Sequence, residues 1–309
     1  MSRILVTGAS GFIGRAAAVA LAKAGHSIRA AMRPSARAEF PDRVEVVRHP
    51  DYTAGVDWRP LLEGSDAVIH AAGIGDTGHG MSAELYDRIN RSATAQLANE
   101  AARAGIGRFL FVSSIRAQSG PAADHDLTER DPALPSDAYG RSKLAAEEAI
   151  GAAGVPFTIL RPVTLYGPGV KGNLGLIMRV AASPWPLPIK GFGNRRSLLG
   201  IDNLISAIAF ALSATSAIGE TYVVADPGFP PRLRDVIATL RQARGRRPRL
   251  FSVPAYPIEL ALRLVRRADL WQRFGGDLRV DPAKLMGAGW QPLHDTLGGL
   301  SALAKTATP

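Results

Sequence analysis

The segment RILVTGASGFIG, Arg3 to Gly14, constrains this chain more than any other stretch. A short aliphatic run enters a loop with glycines at 8, 11 and 14, and an alanine-rich helical pattern follows at once. Gly8 permits a tight turn, Gly11 lets backbone approach a pyrophosphate, and Gly14 allows a helix to pack closely on a strand. The helix start offers unpaired N–H groups and a positive dipole end to phosphates. The spacing is GxxGxxG, not GxGxxG, but the strand–turn–helix setting is the one a dinucleotide requires. Phe12 and Ile13 lie in the same turn and join Gly8, Gly11 and Gly14 as expected cofactor-binding residues.

The rest of the first half repeats this alternation. SIRAAMR, VEVVRH, DAVIHAAG, RFLFVSS and FTILRPV read as strands; FIGRAAAVALAKAG, SATAQLANEAARAGI and SKLAAEEAIGAAG read as helices. Near-continuous aliphatic strands between helices predict an α/β fold, a doubly wound parallel sheet of Rossmann type covered on both faces. That domain is expected to occupy residues 1–163. After Val163 the texture turns to LYGPGVKGNLG and ASPWPLPIKGFGNRRS, glycine- and proline-rich loops suited to carrying binding residues. The later helices NLISAIAFALSA and LRDVIATLRQA and the strand TYVVAD suggest a smaller lobe. Residues 164–309 are therefore expected to bind mainly substrate, with a possible crossing back to the first domain, and KTATP reads as a frayed tail.

The chain has no cysteine, which excludes disulfides, a thiolate nucleophile and a cysteine zinc site. No apolar segment is long enough to span a bilayer, and the glycine loop arrives too early for a signal peptide. A soluble cytoplasmic protein, with no membrane partner, is the expectation. The net charge of +10 leaves three readings: nucleic-acid binding, attraction of an anionic small molecule, or general arginine richness. The densest run, RQARGRRPRL (Arg241 to Leu250), reads as a solvated helix end. Without a zinc-finger or RNP pattern beside it, neither nucleic acid nor a metal is expected.

In DAYGRSK, Tyr139 and Lys143 share a helix face. Alone, the pair would equally suit the polar first turn of a surface helix. Hydride transfer at a hydroxyl-bearing carbon needs a group to take and return the hydroxyl proton. A free tyrosine ionises near pH ~10, so only about one in a thousand is phenolate at neutral pH. A nearby lysine and an oxidised nicotinamide, both positive, favour the anion; lowering the pKa by ~3 units needs about 4 kcal/mol. Ser114 ends a strand at the carboxyl edge of the sheet, where this fold places its ligands, with Ser113 as the rival for the same role.

Taken in order, the glycine loop, HAAG (His70 to Gly73), FVSS before Ser114 and YGRSK resemble an extended short-chain dehydrogenase/reductase. More narrowly they resemble the NAD-dependent epimerase/dehydratase group acting on nucleotide sugars, and the resemblance runs from Ile4 to about Trp290. It implies that Tyr139 is the acid/base, that Lys143 lowers its pKa and holds the nicotinamide ribose, and that Ser114 hydrogen-bonds the reacting oxygen. It places Ala71, Ala72 and Gly73 beside the cofactor, makes Asn90 a residue that steadies the site, and sets Pro162 along the nicotinamide. It also implies a nucleotide-diphosphate grip by Asn173 in KGNLG, Arg196 in RRSLLGIDNL and Arg273 in the C-terminal segment. Arginine suits that task because its fork donates two hydrogen bonds to one anion. A homodimer, through a helix bundle that includes the Tyr139 helix, is implied as well.

NAD-binding units usually carry an acid after the second strand, on the adenosine ribose. Here AAMRPSAR has none, and Arg33 and Arg37 stand in that region. Arginine suits a 2′-phosphate, so NADP is expected ahead of NAD, with solvated loop arginines as the other reading. SSIRAQSG departs from the SSxxVYG form of sugar epimerases and is closer to a subgroup with 4-keto-sugar reductases that make N-acetylquinovosamine. Dehydratases usually place acids beside this serine; Ile115 and Arg116 supply none, which disfavours dehydration. The expected reaction is hydride transfer at C4 of a UDP-sugar: epimerisation, or alternatively NADPH-dependent reduction of a 4-keto sugar. A non-catalytic nucleotide-binding regulator is the rival class, but such relatives normally lose the tyrosine or the lysine.

Overall fold

The aliphatic runs of the first half become β1 (Arg3–Thr7), β2 (Ser27–Met32), β3 (Val44–Arg48), β4 (Ala67–His70) and β5 (Arg108–Val112). Later come the short β6 (Asp126–Leu127), then β7 (Phe157–Pro162), β8 (Thr164–Tyr166), β9 (Leu198–Gly200), β10 (Glu220–Val224) and β11 (Arg279–Val280). The helices used below are α1 (Phe12–Lys23), α2 (Arg59–Leu62), α3 (Ala83–Tyr86), α4 (Ala93–Arg103), α5 (Ala138–Ala152), α6 (Gly172–Ala182), α7 (Ile201–Ser213) and α8 (Leu233–Gln242). This computed structural model describes residues 1–75, 81–170, 172–191, 193–253 and 276–306, without the side chains of 172 and 173.

Seven strands form one sheet in the order β10-β7-β5-β4-β1-β2-β3, every pair parallel. The period-two geometry of a strand explains why its residues are apolar throughout: both faces are covered. Ile4 and Val6 of β1 pack with Ala17 and Leu21 of α1 and Leu204 and Ile208 of α7. Leu5, between them, faces the other layer with Leu97 and Ala101 of α4 and Ala146 and Ile150 of α5. The doubly wound Rossmann arrangement expected from the alternation is what forms. Strand order reverses beside β1, so the loops after β1 and β4 open on one crevice, where such sheets bind ligands.

TYVVAD pairs with β7 as the sheet's edge strand, Glu220 opposite Thr158 and Val224 opposite Pro162, which is the crossing back to the first domain that the sequence left open. Glu129 accepts a hydrogen bond from the Val223 N–H at 2.7 Å, so a side chain covers part of that edge. A separate core joins α6, α8 and the helix Thr296–Thr306 through Leu174, Val236, Leu240, Leu300 and Leu303.

Most of the arginine run is solvated as expected, with Arg246, Arg247 and Arg249 exposed, but Arg241 departs from it. Arg241 is not solvated but buried, and its guanidinium donates to the carbonyls of Ala181 (3.2 Å), Ser183 (3.1 Å), Trp185 (2.8 Å) and Pro248 (2.5 Å). The last carbonyls of a helix have no partner within it, and Arg241 satisfies that of Ala181 in the last turn of α6 and two just beyond the helix. Among the described residues, no helix is long and apolar enough to cross a membrane, and no group of three His, Cys, Asp or Glu could hold a metal.

Candidate active site

The glycine loop and the loop after β4 meet at the crevice. Gly8 has φ +68°, and a Cβ there would stand 2.7 Å from the Ala72 backbone. A Cβ on Gly14 would collide with the Gly8 carbonyl, so α1 can start this close to β1 only with glycine. No side chain caps α1 at Gly11, and Gly11 itself lines the cleft, so the uncapped helix start lies at its wall. Gly8, Gly11, Arg33, Ala71, Ala72 and Gly73 line that cleft together with Ser10, Met32, His49, Asp51, Tyr52, Ile74 and Ile89. Phe12 and Ile13 are half-buried in the opening turn of α1. Pro162 is buried at the end of β7 and does not line this cleft.

At the outer end of the cleft the sequence reading missed three residues. Asp51, just past β3, is held below the usual carboxylate range by the Thr53 backbone N–H and hydroxyl and by Arg33, whose NH1 lies 3.2 Å away. His49 and Tyr52 stack with centroids 4.9 Å apart and make a flat wall. No acid follows β2, but one lines the same cleft just past β3, the neighbouring strand. The segment HPDYT following VEVVRH was the available signal.

The inner end holds the chemistry. Asp137, two residues before Tyr139, caps α5 by accepting the Gly140 N–H at 2.7 Å, so that the helix begins at Ala138. Tyr139 is half-buried, its ring 5.9 Å from that of Tyr86. Lys143, one turn on, is buried; its Nζ donates to the Val112 carbonyl at 2.9 Å and lies 4.4 Å from the centre of the Phe111 ring. That ammonium lies 3.7 Å from where a Gly73 Cβ would be, beside a residue that lines the cleft. Burial lowers its pKa to about 8, against the opposing pull of Glu147. The side chain therefore carries its charge at neutral pH and loses it as pH rises through that value.

The two serines have different surroundings. Ser113 is buried and donates to Glu147, which also pairs with Arg161 through Nε (3.1 Å) and NH2 (2.5 Å). Ser114 is half-buried, accepts the Arg116 N–H at 3.2 Å, and opens the single turn Ile115–Ala117. Arg116 in turn pairs with Asp137, joining the serine's turn to the start of α5. Asn90 is buried within the turn Asp87–Ser92, where it binds both Ile74 and Ser142.

Arg196 is largely buried, and its NH1 donates to the carbonyls of Pro121 and Gly276, both at 3.0 Å. Burial, then the charge of Arg116, lowers its pKa to about 10. Asn173 lies in the first turn of α6. Arg273 lies outside the described residues.

The family model described as NAD dependent epimerase/dehydratase family matches residues 4–225, a span containing the glycine loop, Ser114, Tyr139 and Lys143. The chain belongs to this family. As an NAD-dependent epimerase/dehydratase relative it is an enzyme of the extended short-chain dehydrogenase/reductase type. It is 30% identical to a UDP-glucose 4-epimerase of Vibrio cholerae over 313 residues, covering 98% of this chain and 94% of the relative. It is 31% identical to a ceramide reductase of Caulobacter vibrioides over 270 residues, covering 87% and 78%. Among solved structures, MoeE5 in complex with UDP-glucose and NAD superposes with a TM-score of 0.77 over 98% of this chain and 97% of that one, at 22% identity. The last similarity concerns the fold alone. For a family whose cofactor is NAD, the cleft fits the dinucleotide: a glycine cradle with no room for side chains, an uncapped helix start, and a buried ammonium at the far end.

Proposed function

We propose that the chain transfers hydride reversibly at C4 of a UDP-sugar, in the manner of a UDP-glucose 4-epimerase. The observation that carries this reading is the Lys143 ammonium beside Gly73, a residue that lines the glycine-loop cleft, and one turn from Tyr139. A bound nicotinamide supplies the hydride acceptor and donor. Tyr139 takes the proton of the C4 hydroxyl and later returns it. Lys143 favours the phenolate and holds the nicotinamide ribose, and Ser114 hydrogen-bonds the same substrate oxygen. The commitment of Ser113 to Glu147 supports Ser114 for that contact. Asn90 steadies the cofactor side, and Pro162, expected to border the nicotinamide, would act from the buried end of β7 behind the cleft wall.

In this reading residues 1–163 hold the cofactor and residues 164–309 mainly the substrate. Asn173, Arg196 and Arg273 grip the diphosphate, and carbonyl contacts to Arg196 NH1 orient its guanidinium. The protein works in the cytoplasm as a homodimer built on α5 and its neighbours.

A second reading, NADPH-dependent reduction of a UDP-4-keto sugar, is favoured by one feature. Ser10, Arg15, Arg37 and Arg48 line a recess just outside the cleft. Arg48 is engaged with the carbonyls of Arg33 and Ala36, and Arg33 with Asp51, which leaves Arg15 and Arg37 to meet a 2′-phosphate. A non-catalytic regulator fits less well, because Tyr139 and Lys143 are both in place.

The test is a panel of UDP-sugars and UDP-4-keto sugars, each with NAD and NADPH. Interconversion of C4 epimers with catalytic NAD, and no net cofactor consumption, is expected. Stoichiometric NADPH oxidation with 4-keto sugars alone would establish the reductase. Turnover of no UDP-sugar would overturn both.

A further inference from the structure

His70 ends β4 directly behind the cleft and is 1% exposed. Its Nδ1 lies 2.6 Å from Thr7 Oγ1 and its Nε2 lies 2.8 Å from Thr94 Oγ1. The Thr94 hydroxyl donates to the Asn90 carbonyl at 2.6 Å. A hydroxyl has one proton, so Thr94 Oγ1 can only accept from the imidazole. Nε2 must therefore carry the ring proton, and Nδ1 accepts from Thr7. The ring is neutral, since burial and then the charge of Lys143 drive its pKa down to about 3.

The far end of this chain of bonds is Asn90. It sits in the π-helical turn Asp87–Ser92, whose wider winding changes where successive side chains point. The Thr94 bond fixes the carbonyl of that same residue. From there Asn90 Oδ1 accepts the Ile74 N–H at 2.8 Å, and Nδ2 donates to the Ile74 carbonyl (3.1 Å) and to Ser142 Oγ (3.0 Å). Ser142 donates to the Tyr139 carbonyl at 2.7 Å. Phe111 adds a second link: His70 stacks on its ring at 5.6 Å, and the Lys143 ammonium lies over the same ring.

We propose that His70, as its neutral Nε2–H tautomer, is a positioning residue that keeps the π turn in register, so that Asn90 clamps the Gly73–Ile74 loop to the helix turn bearing Tyr139 and Lys143. The proposal rests on the hydride-transfer reading for its kinetic consequence but not for its structural one. A misplacement of this loop against the Tyr–Lys turn by about an ångström costs on the order of 100-fold in rate.

His70→Leu removes both ring bonds, whereas His70→Gln keeps a donor for Thr94. Hydrogen exchange at the Ile74 amide, which needs no substrate, should speed up about tenfold or more in His70→Leu. It should stay near native in His70→Gln. With UDP-glucose and NAD, kcat should fall about 10–100-fold in His70→Leu with little change in KM, and His70→Gln should restore most of it. If His70→Leu does not fold, Thr94→Val cuts the same path at its next link and should give the same pattern. Native exchange at Ile74 in the variant that cuts the path, or equal damage from His70→Gln, would overturn the proposal. Faster exchange in a protein that turns over no UDP-sugar would leave the positioning role standing and remove the assigned reaction.

Discussion

Tyr139→Phe is expected to lower kcat about 10²–10⁴-fold, the range for losing a positioned acid/base. Only one oxygen is removed. The ring keeps its packing against Tyr86, and the cap from Asp137 to the Gly140 N–H that starts α5 is untouched. NAD affinity should therefore stay within a few-fold of native, because Lys143, Gly73 and the glycine cradle are unchanged. Lys143→Met should behave differently, weakening NAD binding and turnover together, since that ammonium lies beside Gly73, which lines the cleft. Steady-state kinetics and NAD titration on both variants separate the two roles. A kcat within tenfold of native for Tyr139→Phe means that another group moves the proton.

Glu147→Ala is expected to destabilise the fold by about 3–5 kcal/mol, the cost of leaving one member of a buried ion pair alone. Glu147 and Arg161 side chains are 5% and 10% exposed, and the carboxylate takes the Arg161 fork together with the Ser113 hydroxyl. Removing it strands a guanidinium between β7 and α5, which the Gln118 side-chain oxygen at 3.1 Å cannot neutralise. Glu147→Leu combined with Arg161→Met should recover most of the loss, because apolar replacement of a whole buried pair is often neutral. Urea unfolding of the single and double variants checks this. Equal loss in both would mean that packing volume, not the unpaired charge, sets the cost.

The parts legible in the sequence are those whose signal is local. The β1–glycine loop–α1 unit showed itself because turn, close approach and helix start fall within twelve residues of chain, Arg3 to Gly14. Tyr139 and Lys143 showed themselves because one helical turn fixes their spacing. What was misread or left open depends on partners far away in the chain. Arg241 looked solvated because nothing in RQARGRRPRL reveals that carbonyls near residue 181 will need its donors. The crossing back made by TYVVAD was left open because its partner, β7, lies some sixty residues earlier. Asp51 went unseen because the search for an acid stopped at β2, while the adjacency of β3 to β2 is a property of the sheet. The resemblance favoured Ser114 over Ser113, but what differs between the two neighbours in space, the bond from Ser113 to Glu147 on the facing helix, is not visible in the sequence.

Isotope transfer tests the central claim most directly. With a UDP-sugar deuterated at C4 and enzyme loaded with NAD, deuterium should pass transiently to the nicotinamide and return to C4 of the epimer within one turnover, and Tyr139→Phe should suppress that transfer without releasing the cofactor. Epimerisation that loses the label to solvent, or that never reduces the nicotinamide, or transfer at the native rate in the phenylalanine variant, would contradict the account.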